Sequence, residues 1–425
     1  MEKLLRNNNY LSIDIKNIFS FLSISIGNIL FFFMIFTPRT YQNIKTPLVI
    51  IVVSIILIKV ITSGKLNLSR KIFIWFLILL IYGCAWTFIG IVNNNPGVVG
   101  AFRLNVIWVL LFMTFICGIN SYKIFYSLIR TLIIGALMIS TYNIISLLYM
   151  LKLWPDQLFI AFDLGSRIGI HPGYIQLVAH NIGSLVFLAP FLISVFILEE
   201  KGKNYGVNNK LFIFTLILTV IVVFLSGRRI LLLLFAITPI IVITFSIITK
   251  SKYNVRKVVG IFIFIIIIIA IIFFSQWNFS GYIERFLEAF KNSPDNVRII
   301  QHRALIQAFT KAPVLGSGFG KGVQEVIRSS ERPWSYELSY SLKLYNTGLL
   351  GFIIFIGYTA WIYIMGFKII KRNNTKDSLM ISLLVGMTGF LIANATNPYF
   401  GTFDLKWFIF LPIAYINLKL QKNKN

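Results

Sequence analysis

The chain has 425 residues, of which 57% are apolar or aromatic and 13% are charged. Soluble domains carry about 25% charge, so the water-facing surface that soluble enzymes or secreted domains of this length would need is missing. The net charge of +26, from 40 Lys and Arg against 14 Asp and Glu, is spread between apolar runs rather than along a polar face, which excludes a nucleic-acid protein.

The apolar material suffices for roughly twelve lipid-spanning helices of ~20 residues. Residues 1–17 are polar and lack the apolar core and small-residue cleavage site of a secretory signal, so they are expected to stay in the mature chain. Apolar runs then predict spans at 18–36, 47–63, 72–92, 99–118, 124–150, 177–198, 211–226, 230–249, 258–277, 339–366, 378–396 and 407–420. The expected fold class is therefore all-α, a polytopic integral membrane protein with about 12 transmembrane helices forming a single membrane domain over 1–425. Every second connector is basic: Lys59 to Lys71, Lys201 to Lys210, Lys250 to Lys257, Lys368 to Lys376, and the C-terminal Lys419, Lys422 and Lys424. The positive-inside rule makes these connectors and both termini cytoplasmic. Cys84 and Cys117 lie inside apolar runs, so no disulfide framework is expected.

Two predicted external connectors, 151–176 and 278–338, are too long to be simple turns, and loops of that length are usually functional. The second is expected to be partly helical and to contribute to an active site. Around 297–310, Val297, Ile300, Ala304 and Phe309 fall near one helical face and Arg298, Gln301, Arg303 and Gln307 near another, which predicts an amphipathic helix on the membrane surface.

Soluble-type chemistry is mostly missing from the sequence. The run Gly316-Ser-Gly318-Phe-Gly320-Lys-Gly322 has neither the Walker nor the dinucleotide spacing. There is no Asp-x-Asp and no His-Glu-x-x-His, and His171, His180 and His302 are far apart, so no metal and no cofactor is expected. Nor is there a Gly-x-Ser-x-Gly elbow. What remains is a set of cations on the wrong side of the membrane. Arg228 and Arg229 occupy a very short external turn, where snorkelling to headgroups competes with binding of an anionic ligand. Arg103, near the outer end of span four, has the same two readings. Arg298 and Arg303 would face water on a surface helix, and Arg303 reads first that way. Cations nearer the middle of a span are few, Arg130 and Lys343 being the closest.

In order and spacing, Ser226-Gly227-Arg228-Arg229, Arg298, Ala312-Pro313-Val-Leu-Gly316-Ser-Gly318-Phe-Gly320, Glu337 and Gly348-Leu-Leu-Gly351 resemble the lipid-linked oligosaccharide polymerases and O-antigen ligases of bacterial envelopes. The resemblance covers roughly 177–366. It implies a fold of about twelve helices in the bacterial cytoplasmic (inner) membrane, with the active site on the external face. Donor and acceptor would be polyprenyl-diphosphate-linked oligosaccharides, with the lipid bilayer and a chain-length regulator as further partners. Glu337 would be the general base, and Arg298 would join it as a catalytic residue. Arg228, Arg229, Arg103 and Arg303, with Tyr336 and Tyr340, would bind the diphosphate and glycan. Ligases of the family carry a histidine eleven residues before the Gly-x-x-Gly pair, where this chain has Glu337, and that departure favours a polymerase. A ligase-like transferase and a lipid-linked oligosaccharide flippase are the alternatives. Ser335 reads as an N-cap, which puts Glu337 in the first turn of span ten.

Overall fold

A computed structural model describes residues 24–153, 164–171, 174–198, 206–274, 297–323, 326, 331–372 and 377–422. Among the described residues the chain is all-α apart from one hairpin. Its helices are α1 (Ile24–Phe36), α2 (Gln42–Ser63), α3 (Arg70–Val92), α4 (Val98–Gly118), α5 (Tyr122–Met150), α6 (His180–Leu198), α7 (Asn209–Leu225), α8 (Arg229–Thr249), α9 (Val255–Phe274), α10 (Val297–Phe309), α11 (Ser339–Arg372), α12 (Ser378–Ala393) and α13 (Trp407–Lys422). Within the described residues each predicted apolar run coincides with one of them. Seven, α2 to α6, α8 and α11, are long and apolar enough to cross a membrane, while α1, α7 and α12 are apolar but shorter. Such a set points to a multi-pass membrane protein.

Burial sorts the helices. A helix that is apolar on every side belongs either in a protein core or in lipid, and both cases occur. In α6, 94% of the apolar window is buried, whereas in α2 the figure is 17%, with Ile50, Leu57, Ile58 and Ile61 exposed in the manner of lipid-facing side chains. The partner that buries α6 most closely is α12. Pro190 has no N–H for the Val186 carbonyl one turn back, and Gly389 of α12 lies against that carbonyl, where an added Cβ would come within 2.5 Å. Gly386 packs under the Phe187 ring, and Ser194 Oγ donates to Ser382 Oγ at 3.1 Å. Small residues and a hydroxyl pair bring two backbones together where lipid supplies no hydrophobic drive.

The connectors separate into two groups. At one end, Arg39 N and Nε donate to Asp404 Oδ2 and Thr402 Oγ1 at 2.8 and 3.0 Å, Asn95 Nδ2 donates to the Ser317 and Phe319 carbonyls, and Ser339 Oγ donates to the Asn397 carbonyl. At the other end, Asn417 joins Ser69 and Asn67, Asn254 N donates to the Ile197 carbonyl, and Lys419 pairs with Asp377 at 2.6 Å. The first group contains the connectors predicted external and the second those predicted cytoplasmic.

The sequence reading missed a hairpin in the long connector before α6: Arg167–His171 (β1) pairs antiparallel with Tyr174–Val178 (β2), with Ile168 opposite Leu177 and Ile170 opposite Ile175. The chain therefore enters α6 at His180 through a 3₁₀ turn rather than at 177.

Candidate functional site

Helix α10 brings Arg298 to Glu337. Arg298 Nε donates to Glu337 Oε2 at 2.6 Å, the two side chains being 43% and 26% exposed. One turn on, the buried Gln301 accepts from the Glu337 N–H at 3.3 Å, and His302 Nδ1 lies 3.0 Å from Ser341 Oγ. Ala304 and Leu305 continue this face, Leu305 packing with Tyr336 and Tyr345. The expectation that the polar face of this helix meets water is corrected in part: Gln301 is buried, while Val297 and Ile300 are exposed. A partly buried backbone N–H at residue 337 takes an acceptor, and Gln301 supplies it, so part of the polar face turns inward. Glu337 is also not in a helical turn, because α11 starts at Ser339. Its carboxylate is oriented by Arg298 rather than by a helix dipole.

The glycine run explains how α11 is held. Gly348 breaks α11 with φ 61° and ψ −170°, which leaves carbonyls before the break and N–H groups after it without helical partners. The segment beginning at Pro313 takes both sets. The N–H groups of Ser317 and Gly318 donate to the Tyr345 and Asn346 carbonyls at 3.1 and 2.9 Å, and those of Leu349 and Leu350 donate to the Pro313 and Val314 carbonyls at 2.8 and 3.1 Å. Gly316, Gly318, Gly320 and Gly348 all have positive φ, and a Cβ on each would collide with backbone of the α11 break, of α3, of the α3–α4 connector and of Val314, respectively. The glycines are therefore a backbone clasp, not a phosphate loop. Trp86 Nε1 closes it by donating to the Leu315 carbonyl at 2.6 Å.

Arg228, the residue before α8, is half-buried; its guanidinium donates to Tyr399 Oη and to the Ala179 carbonyl, both at 3.4 Å. Arg229 is half-buried beside it. Tyr399 belongs to the α12–α13 connector, which also reaches α11: Ser339 Oγ donates to Asn394 Oδ1 at 3.5 Å and to the Asn397 carbonyl at 3.1 Å. One connector thus links the arginine turn to the start of α11, two residues from Glu337. Tyr340 contacts it through its ring, 5.9 Å from that of Phe400, while its hydroxyl donates to the Leu391 carbonyl at 2.6 Å. Tyr336 is 1% exposed, burial raises its phenol pKa, and its hydroxyl oxygen is held by the Val323 backbone. The two tyrosine hydroxyls therefore serve the scaffold. Arg103 and Arg303 are exposed, and among the described residues neither is joined to Arg228 or to the Arg298–Glu337 pair.

Two lysines belong here that the sequence reading did not assign. Lys343 is in the second turn of α11, nearer the connectors than the middle of a span, with its Nζ 4.7 Å from the Phe355 ring centroid and 5.8 Å from those of Tyr82 and Phe400. Lys406 ends the α12–α13 connector; its Nζ donates to the Leu104 carbonyl and lies 5.0 Å from the Trp108 ring centroid. That carbonyl is presented by a π-helical turn, Arg103–Ile107, within α4; such turns gather at functional sites. Burial, then the charge of Lys343, pushes the Lys406 pKa down to about 7. A cation–π contact returns ~0.5 to 2 kcal/mol, and desolvating an ammonium costs several, so ring faces alone do not compensate two such charges. The argument that singled out Arg228, a cation in a predicted external connector, applies equally to Lys406 and would have found it. No protein-family model matches the chain, and no similar sequence is found among curated proteins.

Proposed function

We propose that this chain is a membrane glycan polymerase of twelve spans in a bacterial cytoplasmic membrane, with both termini cytoplasmic and its site at the external end. It transfers polyprenyl-diphosphate-linked oligosaccharide repeat units onto a second lipid-linked glycan. The observation that supports this most is that Arg228 and the start of α11, which follows the Arg298–Glu337 pair, share the α12–α13 connector. The motif pieces that carry the family resemblance are thereby gathered at one end of the helices. An acceptor sugar hydroxyl attacks the anomeric carbon of the donor, its proton passes to Glu337, and the bond from that carbon to the diphosphate oxygen breaks. The departing charge is spread over several oxygens, which guanidinium groups match in pairs without losing their own charge in a low-dielectric site. Arg228 and Arg229 fill that role, and Arg298 fixes the carboxylate. Direct displacement inverts the anomeric centre.

The test is reconstitution of the purified chain in vesicles with a polyprenyl-diphosphate oligosaccharide. The expected products are a ladder of longer lipid-linked glycans and free polyprenyl diphosphate, both lost in Arg228→Ala. Movement of intact substrate across the bilayer without chain growth would replace the polymerase by a flippase.

A further inference from the structure

Lys343 and Lys406 have chemistry that the reaction above does not use. They come from different elements, α11 and the α12–α13 connector. The Phe400 ring beside Lys343 lies on the connector that Lys406 ends, and Tyr82, also beside Lys343, precedes Gly83, which packs against the Asn105 carbonyl next to the Leu104 carbonyl that Lys406 holds. Of the four described carboxylates, Glu337 is paired with Arg298, Asp377 with Lys419 and Asp404 with Lys45, and Glu331 is exposed. None of them neutralises the lysine pair. Both lysine residues are half-buried, and their ammonium groups lie against aromatic rings, Lys343 against Tyr82, Phe355 and Phe400 and Lys406 against Trp108. An ammonium has three donors, and among the described residues Lys406 gives one to Leu104 and Lys343 gives none.

The position adds to the chemistry. Tyr399 of the α12–α13 connector touches Arg228, and Phe400, the next residue, touches Lys343. Two groups of cations therefore flank one connector, one of arginines and one of lysines. Two like charges gathered in a desolvated, aromatic-lined recess are stabilised by an anion of two or more charges whose remainder is apolar. From this geometry we infer that Lys343 and Lys406 form a second anion site, which takes the phosphate or diphosphate headgroup of a lipid-linked molecule beside the one held at Arg228. Naming that molecule as the acceptor rests on the polymerase reading. The site itself rests on the two lysines and their aromatic walls.

The experiment measures binding and needs no glycan. Full-length protein in detergent is titrated with farnesyl diphosphate and, separately, with inorganic pyrophosphate, and bound molecules are counted by native mass spectrometry. The expected result is two farnesyl diphosphates on the wild type, one on the Lys343→Gln/Lys406→Gln double variant, one on Arg228→Gln, and two again on Lys343→Arg/Lys406→Arg. Lys406→Gln alone is expected to weaken the second binding event tenfold or more, which keeps the test decisive if the double variant misfolds. Two molecules on the double Gln variant, or one on the wild type, would overturn the site. Pyrophosphate binding at the lysines as tightly as farnesyl diphosphate would overturn its assignment to a lipid headgroup. A wild type that binds two diphosphates but builds no polymer would leave the site standing and remove the polymerase.

Discussion

Glu337→Gln separates a catalytic carboxylate from a structural one by comparing two magnitudes. The Arg298–Glu337 contact is short, 2.6 Å, but its side chains are 43% and 26% exposed, and ion pairs in that regime contribute ~0 to 1 kcal/mol. The amide keeps the shape and an oxygen that still accepts from Arg298 Nε, and the Gln301 bond to the residue 337 N–H is untouched. The stability cost is therefore expected to stay below about 1 kcal/mol. Loss of a general base typically lowers a rate ~100- to 10,000-fold, which is ~3 to 5 kcal/mol of barrier. Transfer is followed as chain growth in reconstituted vesicles, and stability as the detergent melting temperature of the same preparation. The expected pair is near-native melting with polymer below about one hundredth of wild type. Near-normal chain growth would reduce Glu337 to a partner of Arg298. A large drop in melting temperature matched by the activity loss would make the residue part of the scaffold.

The clasp predicts that Gly348→Ala destabilises by roughly 1 to 3 kcal/mol, because the position needs positive φ and an added Cβ meets the Val314 carbonyl; unchanged detergent melting would show that α11 need not break there. Lys406 predicts a pH effect with a definite sign. With its pKa pushed down to about 7, its protonated fraction falls roughly tenfold from pH 6 to pH 8, so a sulfonate ligand, whose own charge is constant, should bind the lysine site about tenfold tighter at pH 6. The facing groups are the Lys343 ammonium, the Trp108 ring and the Leu104 carbonyl, and of these only Lys343 is charged; a flat profile, or one retained in Lys406→Gln, would assign the effect elsewhere. Topology is read with a membrane-impermeant maleimide on proteins lacking Cys84 and Cys117. Asn94→Cys should react in intact cells and Lys65→Cys only after permeabilisation, both positions being exposed in connectors; the reverse pattern would invert the proposed orientation.

The apolar runs disclosed the helices because a spanning segment must satisfy its backbone internally, which leaves the helix as the local solution whatever its neighbours are. The alternation of basic connectors disclosed which ends meet, and the contacts of Asn417 and Arg39 agree with it. The hairpin was also legible: Ile168, Ile170, Ile175 and Leu177 alternate around Pro172-Gly173, a strand pattern outweighed by the length of the helical runs beside it. The inward face of α10 was not, because a period of 3.6 tells which residues share a face but not which face meets protein. In water the apolar side would win, but next to a membrane it has lipid to turn to, and the polar side becomes the one that needs a protein partner. Lys343 and Lys406 illustrate the deeper limit. Alone, Lys343 reads as a cation within a span and Lys406 as a cation in an external connector, and only folding brings their two elements together. A site made by bringing like charges together leaves no local pattern in the chain. It becomes visible as an electrostatic imbalance once the described carboxylates are assigned to other cations, and that imbalance is the observation on which the proposed anion site rests.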